Sequence, residues 1–408
     1  MARLPRLLGE PWLFWLLGAL MLNQASANMI RPMVSYRALE AGVDPASLGL
    51  LSAAFTLAPL LVAVPIGRAL DRRGELRYIG AGNLIMAACA VALAATATPL
   101  PIFVLFFIHG LGHFMAAFAT QPLLARFSHS GNYDRRFAAY SFAASVGQML
   151  GPAVGGILAG DGSTGEVSRA MLASAVVALV LFIPLALVKP PATARPAQPA
   201  AGLSRAVPPP SIPSILRMPE VLKAVVVSAT VLSAIDIIII YLPALGEERA
   251  WSASLVGGLL AIRAGSSMAM RLFLGGLAAR FERRVLLIAS MAVSAASLLA
   301  IPFVEPVPAI ALLMVAAGAG LGVGQPLTMA WVAALAPPGT RATLLSVRVM
   351  GNSLGEVALP IAAGMVAIVG GAAGVLAATG LITAVSLGWG FGARPGLLRR
   401  RERSGPGP

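Results

Sequence analysis

Residues 147–156 read GQMLGPAVGG, and residues 355–364 read GEVALPIAAG, with glycine, proline and glycine at the same places. Other segments repeat at about the same spacing of 208 residues: GRALDRRG at 67–74 with GLAARFERR at 276–284, and GLG at 110–112 with GLG at 320–322. A duplication of this kind within an apolar chain predicts two helical bundles. We expect an axis along the membrane normal to relate them, with a binding site in between.

The composition excludes the two or three soluble domains that 408 residues would otherwise suggest. Hydrophobic residues make up 58% and charged residues 11%. Runs of roughly 20 apolar residues are long enough to cross ~30 Å of hydrocarbon as helices, and they do not fit barrel strands. We predict an all-α integral membrane protein with twelve transmembrane helices in two pseudo-symmetric six-helix bundles, spanning 11–36, 46–68, 77–98, 101–125, 137–160, 169–188, 219–244, 252–279, 284–303, 306–334, 342–368 and 371–393.

The arginine and lysine residues lie in alternate loops, which predicts that both chain ends are cytoplasmic. The net charge of +14 does not indicate nucleic acid as a partner, because the charges are not clustered on one soluble face. We therefore expect a multi-pass protein of the bacterial cytoplasmic membrane.

The segment from Arg3 to Ala27 resembles a signal peptide in its charge, apolar run and small residues. Cleavage after it would remove the first span and break the duplication, so an uncleaved first helix is expected. Cys89 is the only cysteine, which excludes a disulfide framework or a zinc cluster.

The chain is expected to divide into four segments. These are an N-terminal six-helix bundle at 1–188, a proline-rich cytoplasmic linker at 189–216, a C-terminal six-helix bundle at 217–393 and a basic cytoplasmic tail at 394–408. In this arrangement the whole chain resembles the major facilitator superfamily, and in particular its drug/metabolite:proton antiporter branches. The resemblance implies a monomer in the lipid bilayer that carries a small molecule.

The loop after the second span resembles a signature of that family, carried here by Gly67, Asp71, Arg72 and Gly74. Gly67 allows close helix approach, and Gly74 permits a positive φ. Asp71 can accept hydrogen bonds from a helix N-terminus or pair with an arginine. The resemblance implies a conformational latch for the outward-facing state. The alternative is a charged hairpin that only sets topology.

The fifth span resembles the motif of the exporting branches. Gly147, Gly151 and Gly155 form a smooth ridge at four-residue spacing, and Pro152, followed by Gly156, removes one helix hydrogen bond. The resemblance implies export. The alternative is ordinary packing of small residues.

The fourth span departs from the exporters, because Phe106 replaces their usual arginine and His109 their usual glutamine. The resemblance links that arginine to proton coupling, so its replacement by Phe106 puts proton coupling through the fourth span in doubt. His109 and His113 share one helix face. Three interpretations stay open: a metal site that lacks a third ligand, a titrating relay, or hydrogen-bonded lining of the cavity.

Ionisable residues inside spans are costly and usually functional. Asp236, Arg263, Arg348 and Glu356 form the candidate coupling and charge network. A proton on either acid would free an arginine, whereas the alternative is a static network that stabilises the C-terminal bundle. Arg31 lies close enough to the outer face to be expected to snorkel.

Neutral polar residues are expected to line the substrate cavity, together with the two histidines. The candidates are Asn23, Gln24, Asn28, His109, His113, Gln121, Gln325 and Asn352. Plain hydrogen bonding between helices is the alternative for each of the neutral residues. No metal site is expected.

These observations predict a secondary active transporter that moves a small organic molecule by alternating access, as a proton-coupled exporter. A proton gradient is the expected energy source and no cofactor is expected, since no ATP-binding Gly-xxxx-Gly-Lys-Ser/Thr sequence occurs. An importer or uniporter of the same fold is the first alternative. A membrane sensor or an intramembrane enzyme is more remote, because His-Glu-xx-His is absent.

Overall fold

Helices make up nearly all of the described part of the chain. The computed structural model describes residues 10–57, 60, 74–128, 133–189, 218–336 and 341–391, with only the backbone at 133, 134 and 341–343. The helices are α1 (Pro11–Glu40), α2 (Pro45–Leu57), α3 (Glu75–Ala95), α4 (Pro99–Arg126), α5 (Tyr133–Ala159), α6 (Thr164–Leu187), α7 (Pro219–Glu248), α8 (Ala253–Arg280), α9 (Arg283–Ala300), α10 (Val307–Leu335), α11 (341–370) and α12 (372–391).

Ten described helical segments are long and apolar enough to cross a membrane, and one of them, Leu344–Phe391, contains both α11 and α12. The shorter apolar helix α2 coincides with the start of the predicted second span, and the rest of that span, apart from residue 60, lies outside the described residues. The order of helices agrees with the twelve predicted spans. The ends of most helices extend a few residues beyond the predicted bounds, because polar residues near the interface continue the helix.

Helices α11 and α12 are separated by a single non-helical residue, Gly371, with φ 57° and ψ −160°. A positive φ suits glycine, which has no Cβ to clash with the backbone. The Glu248 carboxylate at the end of α7 accepts a hydrogen bond from the Ala372 backbone N–H at 2.7 Å. A carboxylate is favourable at a helix N-terminus, so Glu248 both caps α12 and ties α7 to this turn.

Helix α6 is interrupted at Leu181, although the sequence predicts one continuous span there. Pro184 explains the break, because its ring nitrogen cannot donate the helical hydrogen bond to the Val180 carbonyl. A short helix, Phe182–Leu187, then carries the chain to the end of the span.

Each half of the chain packs around its own first helix. In the N-half (residues 10–189), α1 packs against α4, α5 and α6, and in the C-half (218–391), α7 packs against α10, α11 and α12. Buried polar pairs join helices in the N-half: Asn23 donates to Asn83 at 3.1 Å, and the hydroxyls of Ser26 and Ser174 lie 3.0 Å apart. Such bonds and close contacts between small residues hold helices together in lipid, where hydrophobic burial gives no net attraction between them.

The two halves meet along three helix pairs: α1 with α7, α5 with α8, and α2 with α11. We call the end of the molecule with residues 41–44, 160–163 and 249–252 the outer end, since the arginine distribution predicts that it is extracellular. The opposite end is the inner end. These three pairs position every charged residue discussed below.

Candidate functional site

An ion pair between buried side chains joins the two halves. The Arg31 guanidinium on α1 lies 2.5 Å from the Asp236 carboxylate on α7, and the residues are only 8% and 7% exposed. The guanidinium also lies 4.9 Å from the ring centroid of Phe55 on α2, a cation–π arrangement. The prediction that Arg31 snorkels to the outer face was wrong, because this side of α1 faces α7 rather than lipid.

A second acid lies beside this pair. The Glu356 side chain on α11 is close enough to Asp236 and Arg31 to interact electrostatically with both. Among the described residues, no cation lies within ion-pair distance of its carboxylate. The Glu356 backbone carbonyl accepts a hydrogen bond from the Thr56 hydroxyl at 3.0 Å, which links α11 to α2. Two acids therefore share the neighbourhood of one paired arginine.

The predicted network is only partly assembled. Arg263 on α8 is 4% exposed and lies within electrostatic range of Asp236 and Arg31, but it makes no ion pair with any described residue. Arg348 on α11 does not contact the acids, and donates instead to two oxygen atoms of α10, the Gln325 carbonyl and the Thr328 hydroxyl, both at 3.1 Å. Asp236 therefore pairs across the halves with Arg31, a partner that the sequence analysis did not select.

A cavity of about 340 Å³ lies between α5 of the N-half and α8, α10 and α11 of the C-half. Its polar lining includes Ser145, Arg271, Gln325 and Arg348, of which only Gln325 had been predicted as a cavity residue. Arg271 donates from Nε to the Gly322 carbonyl and from Nη1 to the Ser145 hydroxyl, each at 3.1 Å. The second of these bonds crosses from the C-half to the N-half.

The other neutral candidates do not line this cavity. Asn23 points to α3 and Asn28 donates to the Gln24 carbonyl of its own helix at 2.8 Å. Gln148 on α5 donates to Gln24 at 3.4 Å, and Gln121 donates to the Tyr140 hydroxyl at 3.3 Å. The interpretation as interhelical hydrogen bonding describes Asn23, Gln24 and Gln121. Asn352 is 6% exposed, and its Oδ1 has no hydrogen-bond partner among the described residues.

The two histidines lie inside the N-half rather than on a polar cavity wall. His109 is fully buried and His113 is 8% exposed. His113 stacks on Phe55 with ring centroids 5.8 Å apart, and the Arg31 guanidinium lies 4.9 Å from the centroid of the same phenyl ring. Neither ring nitrogen of His109 has a hydrogen-bond partner among the described residues, which does not fit the predicted hydrogen-bonded lining.

We therefore expect His109→Leu to leave the protein as stable or more stable. An unsatisfied buried polar group costs about 1–3 kcal/mol, and leucine is apolar and of similar volume. The unfolding temperature of the purified His109→Leu variant in detergent measures this stability. His113→Leu, the same substitution one helical turn further along α4, serves as the comparison. A fall in unfolding temperature, or a lost pH dependence of transport in His109→Leu, would instead support the proton relay.

The motif of the fifth span has two separate contacts. The ridge of Gly147, Gly151 and Gly155 packs on α1 within the N-half, where an added Cβ would meet the backbone or the Met29 side chain. Gly156 faces the other way and touches Gly257 of α8. The ridge thus serves packing inside one half, whereas the end of the motif forms the crossing between halves.

The outer end is closed by a second crossing, between α2 and α11. A Cβ on Gly49 would overlap the Pro360 carbonyl, and one on Gly364 would overlap the Ala46 carbonyl. Near the α5–α8 crossing, Ser254 donates from its backbone N–H to the Gly160 carbonyl at 2.9 Å. Backbones in direct contact at both crossings leave no passage there, whereas the cavity lies toward the inner end.

The predicted latch falls largely outside the described residues, since Gly67, Asp71 and Arg72 are not among them. Gly74 is described and has a φ of 80° at the start of α3, the positive φ that glycine permits at this position. Close by, Glu75 is buried and forms an ion pair with Arg126 at the end of α4, 2.5 Å away.

Comparison with known proteins identifies the family. The model of the Major Facilitator Superfamily matches residues 16–281 and 224–407, so the chain belongs to this superfamily. The protein is therefore a multi-pass membrane transporter of small molecules and not an enzyme. No curated protein matches the sequence significantly.

Solved structures of other transporters share the fold along nearly the whole chain. The nucleoside transporter NupG has a TM-score of 0.73 at 15% identity, covering 92% of this chain and 97% of its own. An inward-facing, unoccupied bacterial homolog of the human lysosomal transporter Spinster has a TM-score of 0.74 at 16% identity, with 94% and 97% covered. A D-xylose–proton symporter has a TM-score of 0.69 at 14% identity, again covering 94% and 97%. At such identities the likeness shows the fold, and it confirms the predicted twelve-helix architecture.

Arg31 and the arginine-lined cavity were the main features missed. The signal for the ion pair was present, because Arg31 and Asp236 are opposite charges in the first helices of the two repeats. Arg271, a charged residue inside the span of α8, donates to Ser145 beside the cavity and was not among the predicted cavity residues.

Proposed function

We propose that the protein is a proton-coupled secondary transporter that exports a small organic molecule by alternating access. The observation that carries this proposal is the buried Arg31–Asp236 pair with Glu356 beside it. The pair ties α1 to α7 between the halves, so its charge state bears directly on whether the halves can move apart. An acid at the interface between two moving halves can couple its protonation to their relative movement.

The proposed coupling follows from the charges around the pair. Asp236 and Glu356 are the two acids of this group, and Arg31 and Arg263 are its two cations. A proton on Asp236 removes the charge that holds Arg31, and Glu356 is the nearest acid that can then attract the guanidinium. Movement of Arg31 from Asp236 on α7 to Glu356 on α11 would break the tie between α1 and α7 and let the outer end open, and loss of the proton would restore the tie.

Export is the proposed direction. It is supported by the resemblance of residues 147–156 to the motif of exporting branches and by the place of Gly156 at a crossing between halves. Import or uniport is the second candidate. Phe106, fully buried where exporters carry an arginine, favours it, and a neighbour in fold is a D-xylose–proton symporter.

We further propose that the transporter works as a monomer in the bacterial cytoplasmic membrane, with both chain ends in the cytoplasm. The distribution of arginine over alternate loops supports this orientation. Reporter fusions at either end test it, since an external reporter would reverse the outer and inner ends as defined above.

Spin labels test the coupling without knowledge of the substrate. We expect the distance between labels at Asp161 and Glu305, exposed positions of the two halves at the outer end, to depend on pH in a Cys89→Ala background. Acid should populate the open outer end, because it releases Arg31. Double electron–electron resonance measures the two populations.

Glu356→Gln should flatten this pH response, because the second acid can no longer accept Arg31 or a proton. Glu282→Gln, at an exposed inner-end position, is the control and should respond as the parent does. A pH response that survives in Glu356→Gln would contradict the proposed role of this acid. In vesicles, flux that ignores an imposed pH gradient would favour the uniporter.

A further inference from the structure

The cavity between α5, α8, α10 and α11 holds two arginine side chains, Arg271 and Arg348. Among the described residues that line it, none is acidic. The nearest acid on the same helix is Glu356, eight residues from Arg348 and so about 12 Å along α11. Asp236 is already paired with Arg31. The cavity therefore carries a positive charge that the described residues do not balance.

The hydrogen bonds of the two guanidinium groups orient them without neutralising them. Arg271 donates to a carbonyl and a hydroxyl, and Arg348 also donates to a carbonyl and a hydroxyl. All four acceptors are neutral oxygen atoms. Each guanidinium has five N–H donors, so both keep donors for a ligand. Fixed, partly used guanidinium groups suit bidentate recognition of a carboxylate or phosphate.

The rest of the lining is largely apolar. Phe142 comes from α5, Met268 and Leu272 from α8, and Met329 from α10. The volume of about 340 Å³ lies near the lower limit of small-molecule sites, which is about 300 Å³. The lining thus fits a small molecule with an apolar body and one anionic group.

We propose that the molecule carried by this transporter is a small organic anion, whose carboxylate, phosphate or sulfonate binds between Arg271 and Arg348. The inference rests on the proposed transport function and names its substrate class. Since Ser145 and Phe142 belong to the N-half and both arginines to the C-half, the bound anion touches both halves. Binding in this position can therefore favour one arrangement of the halves over the other.

Binding to the purified full-length protein in detergent tests this inference. The probes are benzoate, phenyl phosphate and benzenesulfonate, with benzamide and benzylammonium as neutral and cationic counterparts of similar shape. The dependence of the unfolding temperature on probe concentration gives the dissociation constant. We expect at least one anion to raise the unfolding temperature, and neither counterpart to do so.

Arginine variants locate the site. Arg271→Gln and Arg348→Gln should each weaken anion binding by about tenfold to a hundredfold, the effect of one charge-assisted hydrogen bond. Arg271→Lys should retain part of the affinity because it keeps the charge, and it guards against misfolding of the glutamine variants. Arg169→Gln, at a side chain 64% exposed at the outer end, is the control and should bind as the parent does.

Several results would overturn the inference: stabilisation by the amide or the amine instead of the anions, no stabilisation by any anion, or equal binding in the arginine variants. A parallel measurement with added phosphatidylglycerol distinguishes binding of a lipid headgroup from binding of a soluble anion. Stabilisation by the lipid alone would also overturn the inference.

The binding assay uses no proton gradient, so anion binding without proton-driven flux would reject only the proposed coupling. Proton-driven flux of a neutral or cationic molecule would reject only the anion.

Discussion

Gly257→Val should hold the outer end of the transporter open. A Cβ on Gly257 would lie 2.5 Å from the Pro152 carbonyl oxygen and 2.6 Å from the Gly156 Cα, closer than the 3.0 Å that real Cβ atoms keep. Both neighbours are backbone atoms of a packed helix, so no side chain can rotate away. Overpacking costs about 1–3 kcal/mol, and the upper value would shift the closed-to-open ratio by about a hundredfold.

The distance between spin labels at Asp161 and Glu305 measures this shift. In Gly257→Val the longer distance, which corresponds to the open outer end, should dominate at every pH. Gly258→Val is the matched control, because nothing lies within 4 Å of a Cβ at Gly258. It adds the same side chain to the same helix at the next position. If the two valine variants gave the same distance distribution, the contact at Gly257 would not be the one that closes the outer end.

Breaking the Arg31–Asp236 pair on one side should destabilise the protein strongly. Asp236→Leu removes the carboxylate that pairs with the Arg31 guanidinium, and removal of one member of a buried pair costs about 3–5 kcal/mol. The double variant Arg31→Met, Asp236→Leu leaves no uncompensated charge at the pair and should recover most of this loss. Replacement of a whole buried pair by apolar residues is often neutral or stabilising.

Unfolding of the purified variants in detergent gives the four corners of a double-mutant cycle, whose interaction term measures the coupling between the two residues. Glu220→Gln serves as the control. It breaks a partly exposed pair with Lys223 one helical turn away, which should matter by less than about 1 kcal/mol. Additive losses in the double variant would show that Arg31 and Asp236 do not interact, and the proposed coupling would then lose its basis.

The helical spans followed from local composition. A segment that crosses lipid must satisfy its own backbone hydrogen bonds, and the hydrocarbon thickness sets its length, so each span could be read without knowledge of its neighbours. Local chemistry also explains where the reading was inexact. Pro184 breaks α6 at Leu181, three residues before the proline. The boundary predicted between the last two spans, 342–368 and 371–393, falls at Gly371.

The candidate site was less predictable, because a polar residue within a span gives no sign of its partner. Asn23 and Gln325 were both predicted to line the cavity, yet only Gln325 does so, and Asn23 bonds to α3. Successive residues on a helix are turned by about 100°, so a small rotation decides whether a side chain faces cavity, neighbour or lipid. That rotation is set by close contacts such as those of Gly147 and Gly151 with α1.

The sequence by itself determined the class of protein, since hydrophobic length, charge alternation and duplication are properties that accumulate along the chain. Only the tertiary structure decided that Arg31 pairs with Asp236, 205 residues away, and that Arg271 and Arg348 share a cavity whose described lining contains no acid. The physical reason is that the energy of a buried charge depends on which group lies within a few ångströms of it, and only the packing of helices from both halves sets that distance.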